Sequence, residues 1–205
     1  MISSNFLTDP QSALVADASV IINLNATACA GAIIGALPNG LVVTDNAFLE
    51  LENGAKNGHD DARQLRELID SGLMRRAQLG TAGITIYETL IDGSAFRTLD
   101  DGEAATIALA VEVGGVALID ERKARSLCAS AFPGLIVSCT AELLLHGTVA
   151  VALGAQGQID ALVSALTLAR MRVPAEHVAQ VKALIGAERA AMCPSLPKAV
   201  REAAG

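Results

Sequence analysis

The stretch from Leu99 to Val137 constrains the fold most, because short apolar runs alternate there with helical segments. Asp100-Asp101-Gly102-Glu103 opens a helix that runs through Val113, and Gly114-Gly115 closes it. Val116-Ala117-Leu118-Ile119 follows as a buried strand ending at Asp120. Glu121 to Ser130 is the next helix and Leu135-Ile136-Val137 the next strand. Strands joined by crossover helices run parallel. Strands that are apolar throughout, rather than alternating, are covered on both faces. The chain is therefore predicted to be an α/β protein whose sheet is parallel and flanked by helices.

Upstream, Leu14-Val15-Ala16 is a short apolar strand ending in Asp17. Ser19 to Leu24 either prolongs it or opens a helix, and periodicity does not separate the two over so short a run. Pro38-Asn39-Gly40 marks a turn, and Leu41-Val42-Val43-Thr44 reads as a second buried strand. Asp45 is the expected N-cap of a helix from Asn46 to Asn53, stopped by Gly54. From Asp60 to Ile69, Leu65, Leu68 and Ile69 share one helical face. Ile84-Thr85-Ile86-Tyr87 alternates and is β-branched, which predicts a strand. Beyond about residue 140 the strand signals stop. Helices are expected over 141–153, 158–170 and 175–191, and a loose tail from Cys193. The expected division is a catalytic-type domain over residues 1–145 and a helical extension over 146–205. That extension carries Leu162, Leu166 and Ala169 on apolar faces and suits packing or partner contact.

The formal net charge of −7 argues against a nucleic-acid groove that works by positive charge alone, though not against one in which divalent cations mediate the contact. Cys29, Cys128, Cys139 and Cys193 form no CxxC pair and match no zinc spacing, so they read as buried thiols in a reducing compartment. His59, His146 and His177 are scattered, which argues against a histidine-based metal site or triad. The N-terminus lacks a basic leader, and no uninterrupted apolar run reaches the length of a membrane span. A cytoplasmic protein without membrane contact is expected.

Four carboxylates stand where an open parallel sheet binds ligands, outside the carboxyl ends of its strands. Asp17 and Asp120 each end a strand, Glu50 lies on the helix after the second strand, and Glu103 lies on the first turn of the helix before Asp120. Hard oxygen donors in that number suit Mg²⁺ or Mn²⁺. Each also has a plainer reading. Asp17 and Asp120 would serve as helix caps, Glu103 would complete a capping box with Asp100, and Glu50 would be a solvated helix residue beside Glu52.

Four segments carry a resemblance to a known family. Leu14-Val15-Ala16-Asp17-Ala18-Ser19-Val20-Ile21-Ile22 resembles the opening strand of PIN domains, with its aspartate and following serine. Val42-Val43-Thr44-Asp45-Asn46-Ala47-Phe48-Leu49-Glu50-Leu51 resembles the second segment, which ends in Glu-Leu. Gly102-Glu103-Ala104-Ala105-Thr106-Ile107-Ala108-Leu109-Ala110 resembles the GEAxAIALA helix of one subgroup, and Leu118-Ile119-Asp120-Glu121-Arg122-Lys123-Ala124-Arg125 its LIDDRxAR motif. The last two are the specific matches. The resemblance covers roughly residues 12–145, and the later helices are similar to the subgroup's C-terminal extension. Glu121 stands where the subgroup usually has a second aspartate, and Asp45 where proline is common.

The resemblance implies a three-layer α/β/α sandwich with a mainly parallel central sheet, plus C-terminal helices. It also implies Mg²⁺- or Mn²⁺-dependent hydrolysis of RNA, and many bacterial members are toxins of toxin–antitoxin pairs. The implied metal ligands and catalytic residues are Asp17, Glu50, Glu103 and Asp120. Ser19 would orient a carboxylate or serve as a helix-start hydroxyl, Glu121 would lie beside the ligands, and Arg122, Lys123 and Arg125 would meet substrate phosphates or form a solvated helix face. RNA, an antitoxin protein and further copies of the chain are the expected partners. The alternative is a PIN-like binding module of weak or no activity. A nucleotide-binding α/β protein lacks support, since neither GxGxxG nor GxxxxGK[ST] occurs.

Overall fold

The computed structural model describes residues 7, 9–56, 58–92 and 99–202. Its five-stranded sheet is parallel throughout, with strand order β3-β2-β1-β4-β5. The strands are β1 (Leu14–Ala16), β2 (Leu41–Thr44), β3 (Met74–Ala77), β4 (Val116–Leu118) and β5 (Ile136–Ser138). Twelve helices accompany them among the described residues. The first six are α1 (Ala18–Ala26), α2 (Ala30–Gly35), α3 (Asp45–Ala55), α4 (Asp61–Asp70), α5 (Thr81–Ile91) and α6 (Asp101–Val113). The others are α7 (Arg122–Ala131), α8 (Thr140–Leu144), α9 (Gly147–Thr167), α10 (Ala175–Ile185), α11 (Ala187–Ala191) and α12 (Lys198–Glu202). The all-parallel sheet and its helices are the α/β architecture that the alternation of apolar runs predicts, and they are consistent with a PIN-like α/β/α sandwich.

The chain forms two compact units, Met1–Ile21 with Pro38–Ser138, and Ile22–Leu37 with Cys139–Gly205. The sheet lies wholly in the first. Val15 stands in register with Val42 on one side and Ala117 on the other, so one row of side chains crosses three strands. That row joins Ile107, Ala104 and Ala110 of α6 in a single buried cluster with Leu90, Leu99 and Ile119. Every residue of α6 from Gly102 to Ala110 is buried. Apart from Glu103 and Thr106 this stretch is apolar, as a helix buried on all sides requires, and small residues let it sit close to its neighbours. Its alanines therefore answer to packing, and Gly114 ends it in the left-handed conformation at φ 62°.

Two elements depart from the sequence reading. Ile84–Tyr87 is helical, inside α5, although its β-branched alternation predicts a strand. Tertiary packing overrides propensity there, because α5 lies closely along α6. The Gly80 N–H donates to Glu112 at 2.9 Å. A Cβ at Gly80 or Gly83 would come within 2.5 Å of the Glu112 carboxylate. The strand instead falls at Met74–Ala77, whose arginines hide the usual apolar signal. It is an edge strand, where charged side chains are tolerated. Arg76 pairs with Asp45 and lies 4.0 Å over the Phe48 ring. The run from Ser19 is helical, within α1. The cap of α3 is Thr44, whose hydroxyl accepts the Ala47 N–H at 3.2 Å, and not Asp45.

The regular elements of the second unit are all helices among its described residues, and it takes in 22–37 from the N-terminal part of the chain. Gly154 (φ 70°) breaks α9, close to the gap that the sequence places between two helices, and Gly186 (φ 82°) separates α10 from α11. The tail expected to be loose contains α12. By length and composition α9 is apolar enough to cross a membrane. Its Val149, Ala161, Leu162, Ala165 and Leu166 are buried within the unit, and the Gln158 amide donates to the Leu144 carbonyl at 2.8 Å.

Candidate metal centre

The carboxyl ends of β1 and β4 meet at the Asp17 N–H, which donates to the Leu118 carbonyl at 3.2 Å. Asp17 is the residue after β1 and is buried, with 5% of its surface exposed. One of its oxygens, Oδ2, accepts the Ser19 hydroxyl at 2.7 Å and the Ser19 N–H at 3.3 Å. Capping α1 therefore occupies one oxygen and holds the carboxylate in a fixed orientation. The other oxygen, Oδ1, faces Gly102: a Cβ built there would lie 3.3 Å away. The same Cβ would lie 2.5 Å from Glu50 Oε2. Gly102, in the first turn of α6, thus marks the point where Asp17 and Glu50 approach each other. A side chain there would fill the space between them.

Glu103 is buried beside Gly102. Its backbone N–H donates to Asp100 Oδ1 at 3.0 Å, and its carboxylate accepts the Asp100 N–H. The capping box is therefore formed. It coexists with the acidic cluster, because Asp17, Asp100 and Glu121 all act on the Glu103 charge. Asp120 is also buried, at 5% exposure, beyond the end of β4. The N-cap position of α7 is Glu121, whose side chain makes no capping hydrogen bond.

The electrostatics follow from burial and crowding. Loss of hydration, offset in part by Ser19 and reinforced by Asp100, pushes Asp17 up to about 6. Removal from water, then the charges of Asp100, Asp17 and Glu121, pushes Glu103 up to about 8. Partial desolvation, with Asp17, Asp100 and Asp101 behind it, pushes Glu50 up to about 7. Glu50 is exposed, where water and salt screen repulsion, so its contribution to stability is the smallest of the three. Carboxylates held this far above their ordinary range want either protons or a cation. The donor set, all hard oxygen, fits a divalent cation such as Mg²⁺ or Mn²⁺.

Two residues that the sequence reading passed over belong to this cluster. Asp100 enters it as the N-cap of α6 and acts on Asp17, Glu50 and Glu103 together. Asp101 accepts the Tyr87 hydroxyl, lies 3.5 Å from the Asn46 amide, and acts on Glu50. The signal was the unbroken run Asp100-Asp101-Gly102-Glu103, more acid than one helix start requires. Arg122 and Lys123 are exposed at the start of α7, and Arg125 is half-buried one turn on, close enough to act on the Cys128 thiol.

The scattered cysteines and histidines hold a surprise in the second unit. Cys139, Glu142 and His177 each place one ligand atom within 4.8 Å of the others, so the fold assembles a mixed cluster that sequence spacing hides.

A family model described as a PIN domain matches residues 13–187. The chain belongs to the PIN-domain family, whose members are generally nuclease-like and use divalent metals. The match reaches through α10, so most of the helical second unit belongs to the same family model. No curated protein and no solved structure matches the chain at a significant level.

Two predictions follow from this geometry. Gly102→Ala should displace the Glu50 carboxylate, because the added methyl occupies its place. The exchange also removes a helical glycine, worth about 1 kcal/mol. The metal-free variant should therefore melt at or above wild type while binding Mn²⁺ more weakly, as followed by thermal melting with and without Mn²⁺. The second prediction concerns pH. Folded-state values raised to about 6, 7 and 8 mean that the folded protein holds more protons than the unfolded chain between pH ~4 and ~8. This contribution is complete below pH ~4 and is lost as pH rises through those values. Melting in EDTA should show the metal-free fold weakening from pH 5 to 8, and Mn²⁺ should reverse most of that loss.

Proposed function

We propose that this protein is a divalent-metal-dependent ribonuclease that hydrolyses RNA phosphodiester bonds, with Asp17, Glu50, Glu103 and Asp120 as metal ligands. The observation that carries this reading is the convergence of Asp17 and Glu50 on Gly102, with the buried Glu103 carboxylate beside them, where parallel strands end. Membership of a generally nuclease-like family supports the same reading.

A divalent cation bound there would supply Lewis-acid polarisation of a phosphate oxygen and a water of lowered pKa. The chain's own groups do the rest. Ser19 ties up Asp17 Oδ2 and so fixes which oxygen is presented to the cleft. Asp100 anchors the first turn of α6 by capping Glu103, which fixes the depth of that carboxylate. Gly102 leaves the space into which Glu50 reaches. Arg122 and Lys123, exposed at the start of α7, would meet substrate phosphates and offset the acidic surroundings. Glu121 adds negative charge near Glu103 and assists it in holding a cation.

The role as the toxin of a toxin–antitoxin pair belongs to this proposal through family resemblance, and a cytoplasmic location and self-association are proposed with it. Purified protein should be assayed on a mixed RNA pool with Mg²⁺ or Mn²⁺, with EDTA, and as Asp17→Asn. Cleavage should need the metal, and the variant should lose at least about 100-fold in rate, as expected when several kcal/mol of metal-based stabilisation goes. Cleavage indifferent to EDTA would overturn the metal mechanism. Mn²⁺ binding with no cleavage of RNA or DNA would make the protein a binding module instead.

A further inference from the structure

We propose that Cys139, Glu142 and His177 form a zinc-binding site in the second unit, independent of the acidic centre. Cys139 stands at the N-cap of α8, and its sulfur accepts the Glu142 N–H at 3.4 Å. That bond holds Sγ at the first turn of α8, on which Glu142 lies. His177 comes from the first turn of α10. One ligand atom from each residue lies within 4.8 Å of the other two. Tetrahedral zinc with bonds of about 2.0–2.3 Å needs ligand–ligand edges of roughly 3.3–3.8 Å. Contraction by about 1 Å, well within side-chain rotation, closes the cluster around an ion.

Donor chemistry selects the metal. A thiolate, an imidazole and a carboxylate together suit Zn²⁺ and are poorly matched to Mg²⁺ or Mn²⁺, which prefer oxygen alone. The preference is thus opposite to that of the Asp17 cluster. Burial argues against the other chemistry open to a cysteine beside a histidine. Cys139 is fully buried, and a sulfur nucleophile has to be reached by its substrate. Glu142 and His177 are half-buried, which leaves a side for an ion to enter and for a water to complete four-coordination. Bound zinc would tie the start of α8 to the start of α10, two short helices that are far apart in sequence.

The test is titration of the metal-stripped full chain with Co²⁺, whose bond to a thiolate gives a near-ultraviolet charge-transfer band that oxygen ligands do not. A single equivalent of Co²⁺ should produce the band, and Zn²⁺ should bleach it. Asp17→Asn should leave it intact, which separates this site from the acidic one. His177→Ala, a change at a half-buried position, should weaken Co²⁺ binding at least about tenfold while circular dichroism shows an unchanged fold. Cys139→Ser should abolish the band. Absence of the band in wild type, or its persistence at wild-type affinity in folded His177→Ala, would overturn the proposal. Its persistence in Cys139→Ser would do the same by assigning it to another thiol.

Discussion

Repulsion among carboxylates that the fold itself brings together is the constraint on which the rest of the first unit depends. Asp17 and Glu103 are buried, Glu50 closes on Gly102, and Asp100 acts on all three. No stable arrangement keeps all of them charged without compensation. The chain tolerates the strain because three of the four acids are also engaged locally. Asp17 and Asp100 serve as helix caps, and Glu103 completes a capping box. Structural bonds hold the carboxylates in place, and the residual charge gives a cation its affinity.

The same logic explains why α6 is made of small residues. Its first turn must come close enough to β1 and α3 for Glu50 and Asp17 to meet over Gly102, and its body is buried from Gly102 to Ala110. Alanine provides helix propensity at minimal volume. The apolar row Val15, Val42 and Ala117 then gives α6 an apolar surface to pack on. Packing in the core and spacing in the cleft are thus set by one helix.

Much of this was legible in the sequence, and the gaps have physical causes. Apolar runs that lack alternation disclosed the parallel strands β1, β2 and β4, because burial on both faces leaves no polar register, and an apolar run also disclosed β5, an edge strand whose Ile136 is exposed. The edge strand β3 was hidden by Arg75 and Arg76, which solvent and the Asp45–Phe48 pair accommodate. Ile84–Tyr87 misled because β-branching is a weak prior beside close packing on α6. Asp17, Glu50 and Glu103 were found as candidates, and the geometry brings them together. Asp100 was not, since a cap and a member of a charge cluster look alike until the fold is known. For Asp120 the sequence left a cap as the plain alternative; the N-cap position of α7 is Glu121, whose side chain makes no capping bond. The union of 22–37 with 139–205, and of Cys139 with His177, depends on contacts that no local pattern encodes.

The central claim is that the Asp17 cluster is protonated when metal-free and exchanges those protons for a divalent cation. Calorimetric titration of Mn²⁺ at pH 7, repeated in buffers of different ionisation enthalpy, counts the protons released on binding. With Glu103 held at about 8 and Glu50 at about 7, binding should release at least about one proton per ion near neutrality. The release should fall away above pH 9 and be lost with binding in Asp17→Asn. Mn²⁺ binding with no proton release at pH 7, or with equal strength in Asp17→Asn, would contradict the account.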